Sequence, residues 1–340
     1  MATNITETVP TGAIRYNTDS NKMECFNGTK WMQVAVSSPD LNGGARGVFA
    51  GGNNPTTNTI EYITISSTGN GTDFGDLAGD ARWGPKGLGS RTRGIIAAGY
   101  NNNPNTFYNT IEYITISSTG NSADFGDLVT GVYNPASLSS ATRGIVAGGA
   151  NLSPTPFAES NEITYITIAS TGNSIDFGNL TVVREVPGGN VASPTRGIVA
   201  GGDSPSEVNS MDYITIATTG NALDFGDLTL ARIETAGFSN ATRGLFACGG
   251  DPYTDTIDYI TIATTGNAAD FGDTINSPRA LGGVASPTRG IVAGGTPDAS
   301  TLLNTIQYVS IATAGDAVDF GDLITARRDF ASLSNGHGGL

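Results

Sequence analysis

Histidine, cysteine and lysine are almost missing from this 340-residue chain, and each scarcity removes a class of chemistry. The single histidine, His337, is the fourth residue from the C-terminal end in a glycine-rich tail, so a Ser-His-Asp or Cys-His arrangement lacks its base. Cys25 and Cys248 lie in different regions without partners at metal-ligand spacing, and they read as two small buried or half-buried thiols rather than a disulfide or a zinc site. Lysine occurs only at Lys22, Lys30 and Lys86. With 17 basic against 31 acidic residues the net charge is −14, which repels a phosphate backbone and removes nucleic acid from the expected partners. No apolar run is long enough to cross a bilayer, so no membrane insertion is expected, and residues 1–10 lack the basic start and apolar core of a secretory leader. Synthesis in the cytosol is the expectation.

Glycine and repetition are abundant. There are 47 glycines, only 14% of the residues are charged, and helix formers are sparse, as in an all-β chain of short strands. An Arg-Gly step recurs at Arg46, Arg93, Arg143, Arg196, Arg243 and Arg289, and an Asp-Phe-Gly step at Phe74, Phe125, Phe177, Phe225, Phe271 and Phe320. Those are six units with a period of 46 to 53 residues, a repeat array rather than several unrelated domains.

Within the unit, Gly-Ile-Val-Ala-Gly-Gly (Gly197 to Gly202) reads as a strand buried on both faces, and Ile257 to Ile262 as a β-branched strand further out. A Thr-Gly-Asn turn and the Asp-Phe-Gly-Asp strand follow, and a stretch such as Ala236 to Ser239 supplies one more strand. The step from tyrosine to phenylalanine (Tyr62 to Phe74, Tyr259 to Phe271) is always 12 residues, which demands one fixed geometry. From the second glycine of the Gly-Gly pair to the tyrosine it runs from 9 to 16, so large insertions enter at one place only.

Four short strands per unit is a propeller blade. The order of apolar strand, Gly-Gly, variable loop, tyrosine strand, turn and aromatic strand resembles the kelch repeat over residues 44–340, with phenylalanine where kelch units usually carry tryptophan. The expected fold is therefore all-β: a six-bladed kelch-like β-propeller at 41–340, with a short N-terminal β-hairpin attachment segment at 1–40. The tail 327–336 matches the stretch 232–241, which predicts that the C-terminus completes the first blade.

The N-terminal segment stands outside the repeat. Thr11 to Thr18 and Met23 to Trp31 read as a small hairpin or meander with a turn at Asn27-Gly28, too small to be stable alone. Ile14, Tyr16, Phe26 and Trp31 are its candidate attachment residues. Gly12-Ala13-Ile14-Arg15-Tyr16-Asn17-Thr18 with Phe26-Asn27-Gly28-Thr29 and Trp31 resembles a short module of bacteriophage tail fibres and other virion proteins. The resemblance implies a location in the virion, other virion proteins as partners through residues 1–40, and a homotrimer as one arrangement.

The variable loops collect Trp83, Tyr100, Phe107, Tyr108, Tyr133, Phe157 and Tyr253 among Asn, Ser, Thr and Pro, a mixture suited to sugars or protein surfaces. These are the candidate binding residues, with loop self-packing as the alternative for each. No cofactor, metal or catalytic residue is expected. The Asp-Phe-Gly triplet occurs six times without a nucleotide loop, so a kinase reading fails. Its flanking aspartates are expected to serve as turn acceptors and partners of the Arg-Gly arginines, with calcium as the alternative. The sequence thus favours a phage tail fibre or adhesin that binds a host-surface glycan or protein. A capsid decoration, neck or baseplate subunit comes next, and an enzyme cleaving glycans with acids such as Glu159 or Asp203 is weakest.

Overall fold

The computed structural model describes residues 9–17, 22–33, 45–103, 105–151, 157–185, 189–298 and 300–336. His337 and residues 1–8, 18–21 and 34–40 of the attachment segment lie outside them. The chain forms two compact units, 1–43 and 44–340.

In the first unit, strands Ile14–Asn17, Lys22–Phe26 and Trp31–Gln33 form a three-stranded antiparallel sheet, a meander rather than a single hairpin. Pairing of Ile14 with Cys25, Tyr16 with Met23 and Cys25 with Met32 puts these five side chains on one face. That face is mainly apolar, with the Tyr16 hydroxyl and the Cys25 thiol as its polar groups. The opposite face is knit together: Arg15 pairs with Glu24 at 2.8 Å and stacks over Trp31 at 4.2 Å, while Phe26 and Trp31 touch at 5.4 Å.

The second unit is all-β. Among the described residues it holds six antiparallel four-stranded sheets in a propeller-like arrangement. The second sheet is typical: Lys86–Gly89 innermost, then Arg93–Ala97, Thr110–Thr115 and Ala123–Asp127. In the first sheet the innermost strand is Ala331–Ser334 from the C-terminal end, paired with Arg46–Ala50, as the sequence match anticipates.

The Asp-Phe-Gly motif is a β-bulge. Ile60 pairs with Gly75 and Glu61 with Asp73, so Phe74 is the extra residue, and the same shift recurs in all six sheets. The bulge turns Phe74 into the core, edge-on to Tyr62 at 5.9 Å, and the other five pairs lie at 6.0 to 6.1 Å. This contact fixes the invariant spacing.

Adjacent sheets are tied by two repeated bonds. The glycine of each Thr-Gly-Asn turn donates its N–H to the bulged phenylalanine of the preceding sheet, as Gly120 to Phe74 at 2.7 Å, and the series ends with Gly69 to Phe320 at 2.9 Å. Each Arg-Gly arginine lies over its own sheet's tyrosine, Arg46 to Tyr62 at 4.5 Å, and donates to an isoleucine carbonyl of the next sheet, Arg46 to Ile116 at 2.8 Å. The last of these joins Arg289 to Ile65 at 3.2 Å. The expectation that these arginines pair with the Asp-Phe-Gly-Asp acids is corrected: those aspartates stay at the surface, and the turn asparagine bonds their backbone instead, as Asn121 accepts from Asp76 N–H at 3.0 Å.

A second set of arginines is buried. Arg82 pairs with Glu112 at 2.7 Å, Arg184 with Asp212 at 3.4 Å, Arg232 with Asp258 at 2.6 Å, and Arg327 with Glu61. In the other two sheets both positions are neutral: Val132 stands where the arginine would be and Thr164 where the acid would be, and likewise Pro278 and Gln307. A carboxylate is placed in this layer only with its guanidinium, because a buried charge without a partner costs several kcal/mol.

The innermost strands face each other with small side chains. From one neighbouring inner strand to the next, one layer reads Gly89, Ser139, Ala192, Ser239, Ala285 and Ser334, with serine at every second place. Each serine donates to the residue before it: Ser139 to Gly89 at 2.7 Å, Ser239 to Ala192 at 2.8 Å, and Ser334 to Ala285 at 2.8 Å. The hydroxyls also accept from the same residues' N–H groups at 3.2 to 3.4 Å. They satisfy backbone that an inner edge strand would leave unpaired.

Candidate functional site

The antiparallel order gives the second unit two ends. At the uniform end lie the Thr-Gly-Asn turns. At the variable end the second strand of each sheet runs into the third, and the connection enters the next inner strand.

The two longest insertions form small hairpins there, Tyr100–Asn102 with Asn105–Phe107 and Ala150–Asn151 with Ala158–Glu159. They bring five of the seven predicted aromatics together. Trp83 lies edge-on to Tyr100 at 5.0 Å and Tyr133 at 5.2 Å, and Tyr100 touches Phe107 at 4.9 Å. Tyr100, Phe107 and Tyr133 are buried, Trp83 is half-buried, and Phe157 on top is 43% exposed. Phe157 rests on Phe107 at 5.1 Å and Tyr100 at 5.4 Å, in the left-handed region at φ 60°. Self-packing thus accounts for the lower rings, and Phe157 is the one presented. Tyr108 is half-buried beside them, its hydroxyl donating to Asp80 at 3.0 Å, which burial together with that acid holds above the ordinary tyrosine pKa. Tyr253 is separate, half-buried with Arg279 over its ring at 4.9 Å.

Next to this platform the loops carry acids. Glu185 and Asp203 exchange backbone hydrogen bonds at 3.0 and 3.2 Å, and Asp203 also bridges to Glu207. Burial, reinforced by Asp203 and Glu159, pushes Glu185 up to about 7, and Glu159 is raised by burial and by Asp203. The structure therefore gathers Glu159 and Asp203 in one neighbourhood. No group of three or more metal-ligating side chains forms among the described residues, and the Asp-Phe-Gly-Asp acids do not converge on an ion site.

The third feature was missed by sequence reasoning. Gly84, Asn134, Glu234, Ala280 and Asp329 occupy matching places before five of the inner strands. All five are left-handed, with φ from 46° to 68°. Their backbones bond in series: Asn134 donates to Gly84 at 3.2 Å, Gly84 to Asp329 at 2.7 Å, Asp329 to Ala280 at 3.0 Å, and Ala280 to Glu234 at 3.0 Å. This chain of amides crowns the inner strands at the variable end. Glu234 and Asp329 put carboxylates on it, and Lys86 begins an inner strand where the other units have Ala136, Gly189, Ala236, Gly282 and Ala331. Both carboxylates sense the same three cations, Lys86, Arg279 and Arg328; Arg279 approaches Glu234 at 3.2 Å and Arg328 approaches Asp329 at 3.6 Å. Burial, and then the neighbouring Asp329, push Glu234 up to about 7. Tyr133 belongs both to the aromatic platform and to this mouth, and burial followed by Asp329 and Glu234 raises its hydroxyl well above the usual range. An alignment of the six units on the inner strand exposes Lys86, which is the signal that was available.

In the first unit Ile14 is 64% and Tyr16 56% exposed on the apolar face, whereas Phe26 and Trp31 are half-buried on the opposite one. The four candidate attachment residues therefore divide between two faces.

No family model matches the chain, and no curated protein is significantly similar to it.

Proposed function

We propose that this chain is a bacteriophage virion protein, a tail fibre or adhesin, in which a closed six-bladed kelch-like propeller binds a host-surface glycan or protein. The series of turn-glycine and arginine bonds that ends on Gly69 and Ile65 supports the closed ring. The apolar face of the small sheet, carried by residues that resemble the phage module, supports attachment to other virion proteins. A sheet of three short strands has too little core to leave such a face in water.

The observation that carries receptor binding is Phe157, an exposed ring held on a stack of buried aromatics at the end where loop length varies. An aromatic fixed by its neighbours gives contact area at small entropic cost, as sugar and protein surfaces require. The burial of Tyr100, Phe107 and Tyr133 favours the second reading, a decoration, neck or baseplate subunit whose loops pack on themselves.

Adsorption of fluorescently labelled full-length protein to host cells separates the two. If Phe157→Ala and Tyr108→Ala abolish adsorption while Ile14→Ser/Tyr16→Ser abolishes only incorporation into particles, the adhesin reading stands. Adsorption unchanged by the loop variants, with particle stability altered instead, assigns the structural role.

A further inference from the structure

We propose that the cavity enclosed by the inner strands binds a small oxyanion, of the size of phosphate or acetate, held by the Lys86 ammonium and the Ser332 hydroxyl. The inference does not depend on the adhesin reading.

The cavity measures about 110 Å³ and is walled by small neutral residues, among them Ser137, Asn190, Gly237 and Ser332. At about 30 Å³ per water it holds a few waters or one small ion. Lys86 is the only lysine of residues 41–340, and it enters the repeat where every other unit has alanine or glycine. A mutation to lysine at a wall position is costly unless its charge is answered. The side chain is half-buried by area because it opens onto the cavity, yet protein surrounds it, and burial depresses its pKa against the raising influence of Asp329 and Glu234. Among the described residues no carboxylate oxygen comes within 4.0 Å of its nitrogen.

The two nearby acids are already engaged. Arg279 is shared by Glu234 and Glu207, and Asp329 faces Arg328, so Lys86 is the cation left without a carboxylate in ion-pair contact among the described residues. A buried charge without such a contact is stabilised by a counter-ion with hydrogen bonds around it. Ser332 supplies such a bond. Its hydroxyl accepts from Gly283 N–H at 3.1 Å, and its own proton has no acceptor among the described residues. The Ser332 carbonyl lies 2.5 Å from where a Cβ on Gly87 would be, which puts this strand directly against the residue after Lys86. A lysine and a hydroxyl donor lining one cavity can recognise an oxyanion by charge and by direct bonds. Glu234 limits the affinity, since its ionised form repels the same ion.

The test is isothermal titration of the full-length protein with inorganic phosphate and, separately, with acetate, at constant ionic strength in chloride. Saturable binding of either ion is expected. Lys86→Ala should weaken it at least about tenfold, the loss of one charge-assisted bond, and Ser332→Ala about two- to tenfold. Glu234→Gln should tighten it, a change of opposite sign that a purely structural disturbance does not produce. Lys86→Ala restores the residue found in three other units, so it is expected to fold, and a cooperative melt checks this. No saturable heat with either ion, or phosphate binding that Lys86→Ala leaves unchanged, overturns the assignment.

Discussion

The two ends of the repeat unit are built by different rules. At the uniform end every turn repeats the same two bonds to the neighbouring sheet, and the Asp-Phe-Gly glycine that faces each turn is fixed by contact with its backbone. At the variable end the same strands carry two hairpins, an aromatic stack, a row of acids and a charged mouth, none of which is common to all six units. A repeat whose sheets pack one on the next must keep one set of inter-sheet contacts constant, and any departure is tolerated only where it does not enter them. Individual function is free to accumulate at the other end.

The variable end rests on the buried arginine layer, and the largest effect is expected there. Asp258→Ala leaves Arg232 buried without its partner and should cost about 3–5 kcal/mol in urea unfolding. The double change Arg232→Val with Asp258→Thr copies the neutral pair Val132 and Thr164, and it should restore most of that loss. If the double variant is as unstable as the single one, the layer is not an interchangeable module, and the contrast between fixed contacts and free variation is drawn in the wrong place.

At the uniform end, two glycines of one turn system should differ. A Cβ on Gly226 would fall 2.5 Å from the carbonyl of Gly266 in the adjoining sheet, while one on Gly266 meets nothing within 4 Å. Both have positive φ, 138° and 152°, so both alanine variants carry conformational strain. Gly226→Ala adds a clash with backbone that cannot yield without parting the sheets, and about 3–4 kcal/mol is expected against about half that for Gly266→Ala. Equal losses in thermal or urea unfolding would show that the inter-sheet bond is slack.

The charged mouth gives a smaller, pH-dependent effect. Glu234 titrates at about 7 in the folded state, above its ordinary 4.5. Below pH 4.5 both states are protonated and the group contributes nothing. As pH rises from 4.5 through 7 the unfolded chain ionises first, so stability falls, and above 7 the loss is complete. Glu185 follows the same direction over the same window. Between pH 5 and pH 8 the wild type should lose about 2–3 kcal/mol from Glu234, and Glu234→Gln should flatten that part of the slope. An unchanged slope would mean that the arginines hold Glu234 ionised throughout.

Much of this architecture is legible in the sequence because the repeat states it six times. The constant step from Tyr62 to Phe74 demands one fixed geometry, which the structure resolves as a bulge, and the match between 327–336 and 232–241 announces the pairing of Ala331–Ser334 with Arg46–Ala50. The site is less legible, for a physical reason. Repetition reveals what must be the same, whereas Lys86, Glu234 and Asp329 act through their difference, scattered over 244 positions and joined only when the inner strands come together. The partners of the Arg-Gly arginines were misread because charge complementarity suggested the exposed aspartates, while the guanidinium gains more from a tyrosine face and a carbonyl already desolvated between sheets. The burial of Tyr100 and Phe107 could not be read either, since it depends on two insertions from adjacent sheets folding onto each other.

Phe157 should show the smallest change in stability. Its ring is 43% exposed, so truncation gives up only part of the burial that a core phenylalanine provides, and its left-handed backbone is a conformation that favours glycine. Phe157→Gly should therefore cost less in unfolding free energy than Phe157→Ala, which itself should lie within about 1 kcal/mol of wild type. Tyr133→Ala, beneath it, removes a buried ring and should cost about 3–5 kcal/mol. If binding to host cells falls with both Phe157 variants while the melt hardly moves, the top of the stack is there for contact. If Phe157→Gly instead unfolds the lobe, the ring is a lid on its own loops, and the variable end owes its aromatics to packing alone.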